Sequence, residues 1–565
     1  MKRPLLLTLL LSLFFIAKAQ DLIVPLNDDY EMDLQKAAYN SEYRFHTSMH
    51  PWREAQFDGI ANLDSIQKAQ YWKKQFGRKW KDILWNSLFN TDVVAIEGND
   101  SSTLWGNVPI GKASEKGPKN FYIAGNPLVD FQLGKENGLG HSLWRNTRGA
   151  EIKGSIGENF AFHSSMRENQ AVFPAYVEEN IRENQAVIPG QGWTKNYGEH
   201  GFDFTYCSAY LSFSPTNWFN ATLGYGKNFI GDGYRSLILS DNAFNYPYLK
   251  LSADFWHIQY NCLYMQLIDR STTISSTIGY ARKYINMHYL DWAITKRFNF
   301  SFFDAIVWSA EDTTGYRGID IQYLNPIVFM RPVEYTVGPS PDNALMGVNM
   351  SYIFGKHTTL YGQFVLDEMI VSHFFWSDGW YANKQAYQIG LKTYDAFKIK
   401  NLFLQSEFNH VRPYMYTHYG QSQNYAHFNQ ALAHPWGANF WEVVCRAQYN
   451  YKRFYLQYKL NYGLYGDDPD DVSAGHYGHN IFLNYRDYVH QEGPDGTLGH
   501  YVGQGIETHV LMNDVVLSWL VNPTYNLNVF VELMQRRIST PDFTTNNTIM
   551  SFGLRTSLER LYYDF

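Results

Sequence analysis

The run Gly224-Tyr225-Gly226-Lys227-Asn228-Phe229-Ile230-Gly231-Asp232-Gly233-Tyr234-Arg235-Ser236 carries the glycines, lysine and serine that a phosphate-cradling loop uses. Its spacing does not suit that chemistry, because the glycines miss GxGxxG and no GK[ST] follows Gly231. It reads instead as a strand ending in a tight loop, continued by Ser236 to Ala243. Asp467, Asp468, Asp470 and Asp471 lie beside His476 and His479, but the DxDxDG run and distant Glu of a calcium loop are missing, so the cluster reads as a solvated acidic loop. With 18 histidines and many serines, Ser-His-carboxylate combinations arise by chance, and no GxSxG marks a nucleophile. Cys207, Cys262 and Cys445 are far apart in strand-like runs without CxxC, which fits neither a disulfide framework nor a zinc site. The expectation is no catalytic residue, no metal and no cofactor.

Aromatic residues are the better candidates for chemistry. The chain holds 43 Tyr, 38 Phe and 16 Trp, and Trp376, Trp380, Tyr381, Tyr414, Tyr416 and Trp436 fall in segments rich in Asn, Asp, His and Gly. Ring faces stack on sugar rings while neighbouring polar groups bond hydroxyls, so these six are the expected ligand contacts. Girdle or loop packing is the alternative use of the same rings. A formal net charge of -7 offers no basic footprint, and nucleic-acid binding is set aside.

Such loops need a scaffold, and from about residue 119 onward the scaffold is strands. In the hairpin 440–464, Trp441, Val443, Cys445, Ala447, Tyr449 and Tyr451 share one face while Glu442, Arg446, Gln448 and Asn450 share the other. After Lys452-Arg453, Phe454, Leu456, Tyr458, Leu460, Tyr462 and Leu464 oppose Gln457, Lys459 and Asn461. Repeated through the chain, this apolar-out and polar-in pattern predicts an all-β transmembrane antiparallel barrel of about 16 to 18 strands. Glu407, Glu442, Arg446 and Lys459 should line its lumen, either wetting a pore or pairing as salt bridges in a plugged one. Short turns at Lys452-Arg453, Pro523-Thr524 and Phe397 to Lys400 place one rim in the periplasm; the long connections 310–344, 412–439 and 465–506 belong outside. The last strand is expected to run from Thr548 to Phe565, an aromatic ending that suits the barrel-assembly machinery, with a slip in alternation near Glu559 that suggests a bulge or residues outside the ladder.

The remaining organisation is simple. Lys2-Arg3, the apolar core Leu5 to Ile16 and Ala17-Lys18-Ala19 read as a signal peptide cleaved after residue 19. Residues 20–115 read as a helical periplasmic segment, because Ile66, Ala69, Trp72, Phe76, Trp80, Leu84 and Leu88 recur at helical steps. The barrel takes 116–565. No apolar run after residue 20 approaches the ~20 residues of a membrane helix. The hexapeptide Arg167-Glu168-Asn169-Gln170-Ala171-Val172 repeats as Arg182-Glu183-Asn184-Gln185-Ala186-Val187, and the residues alone leave open whether this is a duplicated loop or a sugar contact.

The glycine-rich run with Gly224, Gly226, Gly231 and Gly233, followed by Ser240-Asp241-Asn242-Ala243, resembles the Wzi-like family of capsule-assembly outer-membrane proteins. A second match is Leu324-Asn325-Pro326-Ile327-Val328-Phe329, then Arg331-Pro332-Val333-Glu334 and Asp342-Asn343-Ala344-Leu345-Met346-Gly347; together they look most like the Bacteroidetes gliding motility RemB branch. The resemblance implies an outer-membrane barrel of about eighteen strands with a helical periplasmic element. It implies a non-enzymatic role in surface-polysaccharide assembly or attachment, or in gliding motility. Expected partners are outer-membrane lipid, surface polysaccharide, the barrel-assembly machinery and gliding-machinery proteins. A porin or specific channel and a barrel-embedded hydrolase are the alternatives.

Overall fold

The computed structural model describes residues 23, 26, 34–36, 46–53, 56, 94–97, 103–104 and 108–109, and 121–565 except 158, 276–278, 313–314, 328–331, 334–341, 369–371, 374–377, 493–495, 523–525 and 557. The expected signal peptide, the expected helix over 63–89, Trp376 and Pro523-Thr524 lie outside these residues.

Eighteen antiparallel strands form one closed barrel. They are β1 Phe121–Glu136, β2 Leu143–Ile156, β3 Phe160–Val172, β4 Gly201–Thr216, β5 Phe219–Gly226 and β6 Tyr246–Phe255. Then come β7 Ile258–Ser275, β8 Gly279–Ala293, β9 Phe298–Ser309, β10 Asn343–Phe354, β11 Thr358–Leu366 and β12 Gln385–Thr393. The circuit finishes with β13 Leu402–Val411, β14 Phe440–Tyr451, β15 Phe454–Asp467, β16 Ile506–Asn522, β17 Leu527–Ser539 and β18 Thr544–Arg555. β18 pairs with β1 from Ile549↔Glu136 to Arg555↔Asp130, so the barrel has no free edge.

Period-2 alternation sets which face each side chain takes. On β14, Glu442 and Val444 are buried inward while Tyr449 and Tyr451 are exposed outward; on β17, Val529, Val531 and Leu533 are exposed. Phe255, Trp256, Phe354, Tyr451, Phe454 and Trp519 are exposed around the short-turn rim, where a headgroup boundary suits an amphipathic ring. The long connections all leave the other rim. A closed sheet with an apolar outer belt, an aromatic girdle and this loop asymmetry is an outer-membrane barrel.

The last strand departs from expectation. The ladder stops at Arg555, not at Phe565. The following residues turn back and climb inside the barrel: Thr556 bonds Val129, Glu559 accepts from Tyr206 and Ser208, and Phe565 packs on Tyr176 near the outer rim. The slip near Glu559 marks this exit, because Glu559, Tyr562 and Asp564 need lumenal partners that no lipid-facing strand offers.

Two more segments fill the lumen. The connection 227–245 folds inward, and Ile230, Leu237, Ile238 and Leu239 pack on Leu263, Met265, Ile285, Phe303 and Val365 of the wall, giving the upper lumen an apolar core. From the short-turn side residues 46–53 enter, and Met49 and His50 pair antiparallel with Ile230 and Phe229. Within the expected helical segment, the described residues thus include this lumenal stretch, and Val94–Glu97 pairs with β1.

Candidate functional site

Arg235 is the hub of the lumen. Its Nη2 donates to Glu442 Oε1 at 2.8 Å and its Nη1 to Asp564 Oδ1 at 3.1 Å, joining the inward connection, the wall and the segment after β18. Glu442 also takes Nε of Arg235 at 3.2 Å, His434 Nε2 at 2.7 Å and Asn461 at 3.0 Å. Glu407 accepts the backbone N–H groups of Tyr234 at 2.8 Å and Arg235 at 3.1 Å, with the Tyr361 hydroxyl at 2.9 Å. Lys459 reaches Asp564 at 2.9 Å, and the Arg446 guanidinium lies over the Tyr234 ring at 4.6 Å. Glu407, Glu442, Arg446 and Lys459 thus each contact a residue of the plugging segments, and Arg446 and Lys459 remain half-buried.

The glycine-rich motif explains how the plug seats. A Cβ at Gly233 would overlap the Glu407 carboxylate and approach the Arg235 carbonyl to 2.9 Å; one at Gly224 would run into the Tyr248 ring. Gly231 donates its N–H to Ser48 O at 2.7 Å, and Gly226 pairs with Tyr246. Asp241 accepts the Tyr562 hydroxyl at 2.6 Å, Ser240 N–H bonds Leu432 O at 2.7 Å, and Asn242 Nδ2 bonds Ala431 O at 3.2 Å. Asp342 holds Arg317 at 2.7 and 2.9 Å, and Asn343 Nδ2 donates to Gln423 O at 3.1 Å. Gly233→Val is expected to unseat the connection, because a β-branched side chain collides with both oxygens that define the turn. Protease sensitivity of residues 227–245 in folded, reconstituted protein measures it; protection equal to the parent would contradict it.

On the exterior, Trp380 and Tyr381 of the 367–384 connection meet rings from two other connections. Tyr381 stacks on Tyr488 with centroids 3.9 Å apart, and Trp380 stacks on His373 at 5.1 Å. His373 bonds Asp378 at 2.5 Å, and Arg486 lies over the Tyr419 ring at 4.2 Å. Burial holds His418, whose ring lies tilted against Tyr419, down to about 3 and His500, edge-on to Tyr414, down to about 4, so both stay neutral at neutral pH.

Tyr414, Tyr416 and Trp436 are corrected by the structure. All three are buried: the Tyr414 hydroxyl bonds His476 O, the Tyr416 hydroxyl bonds Leu237 O on the plug, and Trp436 packs on Phe440 and Tyr465. They brace connections: the two tyrosines fill space between crossing segments with their hydroxyls satisfied, and Trp436 does so by ring packing alone. In the acidic loop, Asp468 accepts the N–H groups of Tyr477 at 2.6 Å and Asn480 at 2.8 Å, a structural brace. His141, Glu178 and His200 bring ligand atoms within 4.8 Å of one another at the outer rim, where Arg182 already takes Glu178 at 2.6 Å.

No protein-family model and no curated relative matches the chain. Solved structures do. Wzi from Escherichia coli, an outer-membrane protein involved in group 1 capsule assembly and a carbohydrate-binding β-barrel, is 11% identical, with 95% of this chain and 100% of that chain covered at a TM-score of 0.49. OprD from Pseudomonas aeruginosa is 9% identical over 77% of this chain and 96% of its own, at 0.40. OpdK from Pseudomonas aeruginosa with vanillate is 9% identical over 77% and 98%, at 0.41. The likeness is one of barrel fold; the RemB branch finds no counterpart among these matches.

A cavity of about 370 Å³ remains between the segment after β18 and the wall. Asp130, Arg145, Lys459, Asp514, Glu532 and Arg555 line it, and it extends from Asn526 at the short-turn side to Val172 at the outer side. The helix α1, Ala175–Glu183, closes its outer end, with the Tyr176 hydroxyl donating to Tyr563 O at 2.8 Å. Arg235, Asp564, Tyr562 and His434 were not expected as lumenal partners. Their only sequence signals are an arginine inside a glycine-rich run and charges among the closing aromatics.

Proposed function

We propose that this outer-membrane barrel is a non-enzymatic anchor that holds surface polysaccharide on its exterior connections. The observation that carries this reading is the filled lumen: residues 46–53, 227–245 and 558–565 occupy it, which leaves the outer face as the working surface. That face presents Trp380, Tyr381, Tyr419 and Tyr488 beside Asp378 and Arg486, which suits stacking on sugar rings and bonding to hydroxyls and anionic substituents. Trp380→Ala and Tyr488→Ala are each expected to weaken retention of isolated surface polysaccharide roughly fivefold, the equivalent of about 1 kcal/mol for a lost aromatic contact. Titration on protein in detergent checks this, and unchanged affinity in both variants counts against the platform. Gene deletion scored for cell-bound polysaccharide and for spreading on agar tests the wider reading, with the motility role appearing as a spreading defect while polysaccharide is retained.

A specific channel is the second reading, favoured by the charged cavity beside the segment after β18. Steady single-channel steps from the parent protein in planar bilayers support that reading, and silence supports the anchor.

A further inference from the structure

The wall of β7 to β9 has a surface that the barrel pattern does not explain. Tyr289 and Asp291 point into the lumen, bonded to Ser48, so their neighbours Asn286 and His288 point outward. Outward side chains on a membrane barrel meet lipid, yet Cys262, Asn286, His288, Asp304, Ile306 and Trp308 are all buried. Three of them, Asn286, His288 and Asp304, are polar, and His288 Nδ1 lies 3.5 Å from Asp304 Oδ1. Across the strands, Cys262, His288, Asp304 and Met346 sit in register. The first three are covered, whereas Met346 is 41% exposed.

Residues 315–327 fold back along the outside of the wall and lie over Asn286, Ile306 and Trp308. The Trp308 Nε1 donates to Gly318 O at 3.1 Å, the Tyr264 hydroxyl to Leu324 O at 2.7 Å, and Asn286 Nδ2 to Tyr323 O. Tyr323 is buried against Trp308, with centroids 5.2 Å apart, and its hydroxyl bonds Asp342 at 2.8 Å. Arg317 clamps the segment through Asp320 and Asp342. The N–H groups of Arg317 and Gly318 bond Ala310 O, that of Tyr323 bonds Asp320 O, and those of Gln322 and Ile327 bond Asp320 and Asn325 side chains. Satisfied donors are what an irregular segment needs at the edge of hydrocarbon.

The outer surface of this flap is apolar. Ile321 and Ile327 are each 81% exposed, and Ile319 and Tyr316 are exposed beside them. Water alone does not favour such a surface, and Phe302, Met346 and Met350 on the outward face of β9 and β10 are exposed as well. We propose that residues 315–327 form a flap seated among the acyl chains at the outer-leaflet boundary, sealing a polar stripe of the wall from lipid. Its isoleucines replace the wall as the lipid-facing surface over β7 to β9.

Spin labelling tests this. Ile321→Cys and Ile327→Cys are placed in a Cys207→Ser, Cys445→Ser background, where Cys262 is buried, and the labelled proteins are reconstituted in phosphatidylcholine vesicles. Ile389→Cys on the exposed wall and Tyr501→Cys on an exterior connection serve as references, and heat-modifiable mobility verifies the fold. Nitroxides at 321 and 327 are expected to favour collision with oxygen over a nickel chelate, as at 389. Accessibility to the chelate like that at 501 overturns the proposal by placing the flap in water. Low accessibility to both reagents overturns it too, because the flap then meets a second copy.

Discussion

A chain ending at Arg555 is expected to insert and close as the parent does, and then to conduct. Closure rests on the β18 to β1 ladder, which residues after Arg555 do not enter. Those residues instead separate the cavity of about 370 Å³ from the rest of the lumen, where Tyr562 and Asp564 bind Asp241 and Arg235 of the inward connection and Tyr563 binds Tyr176. Their removal widens this charged cavity, whose lining reaches from Asn526 to Val172, and it takes the Tyr563 carbonyl from α1, which covers the outer end. Planar bilayers should show steady steps from the truncated protein, and cells carrying it should admit large antibiotics that the parent excludes. Heat-modifiable mobility verifies insertion. A folded but silent truncation would mean that residues 46–53 and 227–245 close the lumen unaided.

This expectation separates what a linear pattern can reveal from what it cannot. Strands were legible because lipid outside and protein inside impose period 2 on residues such as Glu442, Tyr449 and Tyr451. The rims were legible because turns and long connections differ in length. The plug was not, since Arg235 meets Glu442 and Asp564 across separations of 207 and 329 residues, and no local period encodes such a contact. The duplicated hexapeptide makes the same point: its first copy is the end of β3, while its second finishes α1 and passes through Gln185 and Ala186 at positive φ. Identical residues took two conformations because Arg167 to Val172 has strands on both sides to pair with, whereas Arg182 to Val187 must leave a helix. Among the aromatics, type and region suggest a platform, but only packing tells half-buried Trp380 and Tyr381 from the buried braces Tyr414, Tyr416 and Trp436.

Arg235→Ala should destabilise the protein by about 3 to 5 kcal/mol, the usual cost of stranding buried charge partners. Glu442 would retain His434 and Asn461, and Asp564 would retain Lys459 and the Tyr234 hydroxyl, yet both lose the cation that bridges them. Arg235→Lys should recover little, because an ammonium cannot span Glu442 Oε1 and Oε2 while reaching Asp564. The informative comparison is Arg235→Met combined with Glu442→Gln and Asp564→Asn, which removes the charges together. Desolvation of the trio opposes its mutual attraction, so the triple variant should unfold in urea nearer to the parent than Arg235→Ala does. If it regains stability but now conducts, the trio holds the plug in place more than it holds the barrel together. If it stays as unstable as Arg235→Ala, the charges themselves stabilise the barrel, and the lumen has to be regarded as its core.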